Sequence, residues 1–117
     1  MNMSFALTKT QYRARTKRVT RRMGWLKLRE GDTFFGVEKS QGLKKGERVV
    51  IMGENTCISK RREPLRRMID DPGYGKQECI KEGFPELSPE EFVRFFCATH
   101  HGATPESIIS RIEFDYI

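Results

Sequence analysis

The chain has 117 residues, of which 37% are hydrophobic, and it carries a formal net charge of +6. This length predicts a single domain, residues 1–117, with one modest core. No apolar run approaches the roughly 20 residues that span a bilayer, and Met1–Thr8 is too short for the apolar part of a secretory signal, so we expect a cytoplasmic protein without membrane contact.

The N-terminal quarter of the chain carries the positive charge. Residues 1–29 contain nine Lys and Arg and no Asp or Glu, whereas residues 30–117 contain 13 cations and 16 acids. Cations without interleaved acids must face water or an external anion. The expected partner is a nucleic acid or a phosphorylated small molecule, and the alternative is a solvated basic surface.

This basic quarter also places three chemically useful side chains close together in sequence. We expect Val19–Arg22 to be extended, and because strand side chains alternate, Thr20 and Arg22 then share a face. Lys17, at the preceding bend, can approach both. Two shorter elements are predicted upstream, namely the strand Ser4–Leu7 and a helix that is capped by Thr8 or Thr10 and runs to Arg15.

The middle of the chain predicts two strands, a second basic cluster and a loop. Thr33–Val37 has the pattern of a buried strand, and Val49–Ser59 that of one long strand with an irregularity near Gly53. The five cations of Lys60–Arg67 either extend the first basic segment into a groove or form a solvated strand exit. Asp70–Gly75 is rich in helix-breaking residues and is expected to be a mobile edge or lid.

The clearest helix starts at Ser88. This residue is a predicted N-cap, Pro89 takes the first helical position, Glu91 completes a capping box, and Gly102 is the expected end. A phenylalanine stripe on this helix is expected to pack into the core rather than to stack on bases; its members are Phe92, Phe95 and Phe96.

The flanking segments complete the predicted elements. A short helix over Lys76–Lys81 is expected to deliver Glu82 to its end. At the other end, Ile112–Tyr116 alternates in polarity and predicts a C-terminal strand with one buried face.

No metal or cofactor site is predicted. Cys57, Cys79 and Cys97 are odd in number and widely spaced, which is typical of reduced, partly buried thiols in a cytoplasmic protein. His100 and His101 are neighbours, and on a helix such neighbours point about 100° apart, so they do not make a shared metal site.

The order of the elements and their motifs resembles the ASCH domain, a family of the PUA-like superfamily of small β-barrels associated with RNA. The resemblance covers nearly the whole chain, is closest to short ASCH proteins of bacteria and phages, and implies an α+β fold with a small mixed β-barrel and flanking helices. The segments that carry it are Lys17-x-x-Thr20-x-Arg22, Gly31-Asp32, Arg62-Glu63-Pro64-Leu65, Glu82-Gly83-Phe84 and Arg111-Ile112-Glu113-Phe114.

The resemblance also implies a catalytic group. ASCH members that hydrolyse N4-acetylcytidine use a lysine, a threonine three residues later and a glutamate near the end of a later helix, and these positions correspond to Lys17, Thr20 and Glu82. The chain departs from that pattern in having Arg15-Thr16 where the hydrolases usually have a glycine, and in its insertions at Gly42–Gly46 and Asp70–Gly75.

Two mechanisms are open for such a group. A neutral Lys17 would deprotonate Thr20, which requires a depressed lysine pKa; neighbouring arginines and burial act in that direction. If Glu82 contacts Lys17 closely, the ammonium is favoured, so that Lys17 would stabilise an oxyanion while Glu82 activates water.

Two functional hypotheses follow from these residues. The first is a module that binds RNA, single-stranded nucleic acid or a modified nucleoside in a basic cleft, and the second is an amidohydrolase acting on an N-acylated nucleobase. Nuclease activity and a phage partner-binding role are further alternatives, and a monomer is expected. The predicted ligand-binding residues are Arg15, Arg18, Arg21, Arg22, Trp25, Arg61 and Arg62, with Arg22 alternatively pairing an acid such as Glu38 and Trp25 alternatively packing in the core or at its rim.

Overall fold

The computed structural model describes all residues from 1 to 117 and has α+β architecture, as the sequence predicts. Five strands and four helices follow one another in the order β1 (Asn2–Ser4), α1 (Lys9–Arg13), β2 (Val19–Arg22), β3 (Thr33–Val37), β4 (Ile51–Pro64), α2 (Arg67–Asp70), α3 (Pro72–Glu82), α4 (Pro89–Thr99) and β5 (Ile108–Tyr116). None of the helices has the length and apolar character needed to cross a membrane.

The strands form one mixed sheet in the order β1-β3-β4-β5-β2. β1 pairs with β3 in parallel, and the other three pairs are antiparallel. No pairing joins β1 to β2, so the sheet is not closed into the barrel expected from the sequence, and these two strands are its edges.

Two hydrophobic cores lie on the two faces of this sheet, where the sequence predicted one. Residues alternate along β5, so Ile112 and Phe114 point into the first core and Ile109 into the second. The first core lies against α1 and contains Tyr12, Phe5 and Phe34. The second lies under α2, α3 and α4; its buried members are Leu65, Met68, Cys79, Phe92, Val93, Phe96 and Ile109.

The predicted mobile loop at Asp70–Gly75 is helical instead. Asp71 is the N-cap of α3, where its Oδ1 accepts a hydrogen bond from the Tyr74 N–H at 3.3 Å, and Pro72 takes the first helical position. Gly75 is buried against Met68, and a Cβ at this position would collide with the Met68 carbonyl oxygen. This close packing joins α2 to α3 and leaves no lid at this edge.

The predicted start of α4 is confirmed. Ser88 Oγ accepts from the Glu91 N–H at 3.1 Å, the Glu91 carboxylate accepts from the Ser88 N–H at 2.9 Å, and Pro89 opens the helix. The helix ends at Thr99, three residues before Gly102. Phe92 and Phe96 are buried in the second core.

Strand boundaries differ from the predicted ones where burial overrides the local pattern. β1 covers Asn2–Ser4 rather than Ser4–Leu7. β4 continues to Pro64 and has register shifts opposite Gly36 and Val37 and between Cys57 and Ser59. β5 begins four residues before Ile112, and its first half is buried on both faces because the two cores cover it.

Candidate functional site

A cavity of about 320 Å³ lies beside the edge strand β2. The segment Ser4–Thr8, which continues from the opposite edge strand, lines one side, and the ends of α3 and α4 line another. The two edges of the sheet therefore approach each other across this cavity. Side chains of the cavity occupy the gap where strand pairing would have closed a barrel.

Lys17 lines this cavity, and its side chain is only 3% exposed. Its Nζ donates to Glu82 Oε1 at 2.7 Å and to the Glu82 backbone oxygen at 2.9 Å. The backbone is held as well, since the Tyr116 hydroxyl donates to the Lys17 carbonyl at 2.7 Å and the Arg18 N–H donates to the Lys81 carbonyl at 2.7 Å. These contacts fix Lys17 between β5 and the end of α3.

Burial lowers the pKa of Lys17 below its ordinary value. Glu82 opposes this shift by charge and by hydrogen bonding, while Arg22 and Arg21 act in the same direction as burial. A neutral amine has two N–H donors and one lone pair, and both donors of such an amine are used toward Glu82. The lone pair of a neutral Lys17 then remains for a group in the cavity.

Glu82 is the last residue of α3 and is also buried. Its second carboxylate oxygen, Oε2, accepts from Arg21 Nη1 at 3.2 Å, so both oxygens have protein donors. The next residue, Gly83, ends the helix at φ 95°, and a Cβ there would lie 2.8 Å from the Gln11 side chain. Gly83 thus allows the end of α3 to approach α1 and Lys17 closely.

Thr20 and Arg22 share one face of β2, as strand alternation predicts. Arg22 Nε donates to Thr20 Oγ1 at 3.0 Å, and the guanidinium lies 5.0 Å from the centre of the Phe5 ring. Burial lowers the pKa of Arg22 to about 10, which Glu82 partly counters, so the side chain is charged at neutral pH. The alternative pairing with Glu38 does not occur, because Glu38 pairs with Arg13 at 2.7 Å.

Arg21 points to the opposite face of β2 and is held by three carboxylates. Its guanidinium lies 2.7 Å from Glu78, 3.2 Å from Glu82 and 3.5 Å from Glu63. The guanidinium is completely buried. Arg21 contributes to the lining of the first cavity and holds Glu82 in place, and its predicted role as a ligand or nucleic-acid contact stays a prediction.

The remaining predicted contacts do not join into one basic groove. Arg15 and Arg18 lie over the Tyr116 ring, and Arg18 also pairs with Asp115 at 2.7 Å. Arg61 pairs with Glu63 at 2.6 Å. Arg62 donates to Ser110 Oγ at 2.9 Å and to backbone carbonyls. None of these four lines the cavity that holds Lys17, so the continuous basic cleft expected from the sequence is not formed.

Aromatic side chains form much of the remaining lining of the cavity. Phe92 and Phe96 belong to the second core and also line the cavity. Phe84 and Phe95 line it as well, and the centres of these two rings are 5.4 Å apart. The helical spacing predicted the buried role of this stripe but not its second role in lining the cavity, which depends on the gap beside β2.

His100 also lines the cavity, a position that the sequence does not predict. Its ring stacks on Phe96 with centres 3.8 Å apart, and Nδ1 lies 3.0 Å from the Phe96 carbonyl oxygen, which can only accept. Nδ1 also lies 3.1 Å from Thr99 Oγ1, so Nε2 is the ring nitrogen left for other partners. Burial lowers the pKa of His100, although the bond to Phe96 opposes this. No group of three or more His, Cys, Asp or Glu side chains is arranged to hold a metal ion.

Trp25 lines a second cavity of about 720 Å³ next to the first. It is half-buried and lies at the edge of the first core, with its ring 6.3 Å from that of Phe34. Both readings made from the sequence, a core or rim position and an accessible face, are compatible with this placement.

Comparison with known proteins identifies a fold relative. The sequence matches no protein-family model and no curated protein. The structure is similar to a crystal structure of hypothetical protein PH0355, with a TM-score of 0.63 and 15% sequence identity over 100% of this chain and 96% of that chain. At this identity the similarity concerns the fold alone.

Proposed function

We propose that this protein is a small amidohydrolase that removes the acyl group from an N-acylated nucleobase such as that of N4-acetylcytidine. The observation that carries the proposal is that Lys17, Thr20 and Glu82, which are 65 positions apart at the extremes, line one cavity. The family assignment made from the sequence, an ASCH domain of the PUA-like superfamily, belongs to the same proposal, with the curled open sheet as this chain's form of the barrel.

The two kinds of side chain that line the cavity, aromatic and charged or polar, suit the two parts of such a substrate. A flat base has an apolar face that phenylalanine rings can cover, and Phe84 and Phe95 offer such a surface. The amide that joins acyl group and base needs a nucleophile, a base and positive charge, which Thr20, Lys17 and Arg22 offer.

With Thr20 as nucleophile, the contacts of Glu82 favour Lys17 over Glu82 as the general base. Both carboxylate oxygens of Glu82 already accept hydrogen bonds, which leaves this group poorly suited to activate water. The lowered pKa of Lys17 increases its neutral fraction, and a neutral amine can take the Thr20 proton. In this mechanism Glu82 orients Lys17.

The reaction then proceeds in two halves. Lys17 takes the Thr20 proton as Oγ1 bonds to the acyl carbon, and the carbonyl electrons move to the oxygen, beside the Arg22 charge. The oxyanion collapses, the carbon–nitrogen bond breaks, and Lys17 returns the proton to the nitrogen of the base. Water next attacks the threonyl ester with Lys17 as base, releasing the carboxylic acid and restoring the Thr20 hydroxyl.

The nucleophile is tested by measuring loss of the acetyl group from N4-acetylcytidine. We expect turnover by the wild-type protein, a loss on the order of 10³-fold or more in Thr20→Ala, and retained activity in Thr20→Ser, which keeps a hydroxyl. Thr10→Ala, at an exposed position on α1, is the matched control and should behave as wild type. Absence of turnover by the wild-type protein, or full turnover by Thr20→Ala, would contradict the proposal.

The second candidate function is binding of RNA, single-stranded nucleic acid or a nucleoside without turnover. The 2.7 Å contact between Lys17 and Glu82 favours it, because a carboxylate stabilises the ammonium form, which cannot act as a base. In that case the same cavity would bind cytidine and its acetylated form with measurable affinity while the acetyl group stays attached. Calorimetric titration in parallel with the hydrolysis assay separates the two functions.

A further inference from the structure

The second cavity adjoins the proposed catalytic cavity. Five residues line both of them, namely Ser4, Ala6, Arg22, Gln41 and His100. The two volumes, about 320 and 720 Å³, lie within the range of about 300–1,000 Å³ that is typical of small-molecule sites. A ligand whose base occupies the first cavity therefore has room to extend past Arg22 into the second.

Arg22 stands at the junction with most of its donors free. Its Nε donates to Thr20, but the guanidinium makes no ion pair with any carboxylate of the protein. By contrast, the adjacent Arg21 has three carboxylate partners. No Asp or Glu lines the second cavity, whereas Lys39 does, with its own partner Glu47 at 3.1 Å. A partly desolvated arginine without a protein anion is suited to an anion carried by a ligand, and its planar fork matches phosphate.

Trp25 is presented to the second cavity by a strained turn. Its φ is 62°, a left-handed conformation that is unfavourable for a residue other than glycine and persists where the surroundings enforce it. Three hydrogen bonds do so here. Lys60 Nζ donates to the Trp25 carbonyl at 3.0 Å and to the Leu26 carbonyl at 2.7 Å, and Ser110 Oγ donates to the Gly24 carbonyl at 2.6 Å. The backbone that carries the indole is thus held in place, and Trp25 lines the same cavity as Arg22, an aromatic and a cationic group of the kinds that bind single-stranded nucleic acid.

From these contacts we propose that the second cavity binds the nucleotide adjacent to the target in a single-stranded oligonucleotide. The linking phosphate lies on Arg22, the neighbouring base stacks on Trp25, and the target base occupies the first cavity. This inference rests on the proposed function for the identity of the first site, and it specifies that an oligonucleotide is bound more tightly than the free nucleoside.

The sole tryptophan of the chain provides a direct test. Wild-type protein is titrated with cytidine, with the cytidine–adenosine dinucleotide in ribose and deoxyribose forms, and with the uncharged methylphosphonate of that dinucleotide, while Trp25 fluorescence is followed. We expect the dinucleotide to quench this fluorescence and to bind at least about tenfold more tightly than cytidine, from one phosphate contact and one stacked base. The methylphosphonate should lose most of the gain. A ribose preference would assign the natural ligand to RNA, and equal binding would assign it to single strands of either kind.

Variants separate the two contacts. Arg22→Met should remove the preference for the dinucleotide over the methylphosphonate, whereas Arg94→Met, at an exposed position on α4, should leave it unchanged. Trp25→Ala should weaken binding of a fluorescently labelled dinucleotide about tenfold. Circular dichroism shows whether each variant is folded.

The inference is overturned if cytidine and the dinucleotide bind equally, if Trp25 fluorescence does not respond, or if Arg22→Met keeps the full preference for the charged linkage. The hydrolysis assay reports independently on the proposed function. Turnover of N4-acetylcytidine without any gain from a neighbouring nucleotide would overturn this inference alone. Tight dinucleotide binding with Trp25 quenching but no turnover would overturn the catalytic proposal and support the second cavity as a nucleotide site.

Discussion

At the scale of single residues, the contact between Lys17 and Glu82 controls the proposed chemistry. Burial lowers the pKa of Lys17, and the carboxylate at 2.7 Å raises it again. Arg21 shares the same carboxylate at 3.2 Å and thereby weakens its hold on the lysine proton. The balance among these three groups sets the fraction of Lys17 that is neutral.

The pH dependence of hydrolysis follows from that balance. A general base must be neutral, so kcat/KM should rise with pH through the pKa of Lys17, below the ordinary lysine value of 10.5. In Glu82→Gln the charge that raises this pKa is gone while an amide oxygen can still accept from Nζ. We expect the rise in kcat/KM to move to lower pH, measured with N4-acetylcytidine over a range of buffers.

The exposed Glu86 offers a matched control, since Glu86→Gln should leave the profile unchanged. If Glu82→Gln instead abolished activity as completely as Thr20→Ala, Glu82 rather than Lys17 would be the general base.

Strand alternation accounts for what the sequence could and could not predict about individual side chains. It correctly placed Thr20 and Arg22 on one face of β2, and the same rule places Arg21 on the other face, among the carboxylates of Glu78 and Glu82. The candidate group itself came from a family resemblance. His100 was not predicted as a cavity residue, because its position depends on how α4 packs beside the edge of the sheet.

At the scale of elements, the start of α3 shows how one composition can specify opposite structures. Asp, Pro and Gly in Asp70–Gly75 predicted a loop, yet Asp71-Pro72 is an N-cap followed by proline at the first helical position. The same signal at Ser88-Pro89 was recognised for α4. The glycines obscured it in α3, and only the packing of Gly75 against Met68 explains why a glycine is needed there.

Two glycines of α3 provide a matched test of that packing. Gly75→Ala would force a Cβ against the Met68 carbonyl oxygen, which is held by the backbone of α2 and cannot move away. The substitution should lower the free energy of unfolding by about 1–3 kcal/mol. Gly73→Ala meets only Asp71 Oδ1 at 4.0 Å and should leave stability unchanged or raise it by up to about 1 kcal/mol. Urea denaturation measures both, and equal effects of the two substitutions would show that α2 and α3 are not closely packed.

At the scale of the whole molecule, a buried charged layer connects the sheet to the helices. Glu78 of α3 accepts from Arg111 Nη2 at 3.0 Å and from Arg21 Nη2 at 2.7 Å. Burial by itself would raise the pKa of Glu78, but these bonds outweigh it and lower the pKa to about 2. The stabilisation from Glu78 is therefore complete above pH 4.5, its ordinary value, and is lost as the pH falls through about 2.

Acid denaturation should reveal this contribution. Glu78→Gln leaves two buried arginines short of a carboxylate, so we expect the free energy of unfolding at pH 7 to fall by about 3–5 kcal/mol. Between pH 4.5 and 2 the variant should lose less stability than the wild type, because its residue 78 does not titrate. Urea denaturation at several pH values tests this, with Glu90→Gln at an exposed position as the control. Parallel pH profiles for wild type and Glu78→Gln would contradict the assignment.

The sequence predicted the α+β class but not the open edge, since strand closure depends on contacts between residues far apart. The short β1 ends at Ser4, and Arg22 of β2 lies over Phe5 rather than pairing with that strand. The division into two cores was equally hidden, because the pattern of β5 predicted one buried face where both are covered.

Each of the two cores contains one fully buried cysteine, and a third thiol, that of Cys97, is partly buried against the second core. Cys57 lies in the first core and Cys79 in the second, and burial raises both thiol pKa values, that of Cys79 to about 11. Only the thiolate reacts with alkylating reagents, so each of these two side chains is protected while the core around it stays packed. The alkylation rates of Cys57 and Cys79 therefore report separately on the opening of the first core and of the second core.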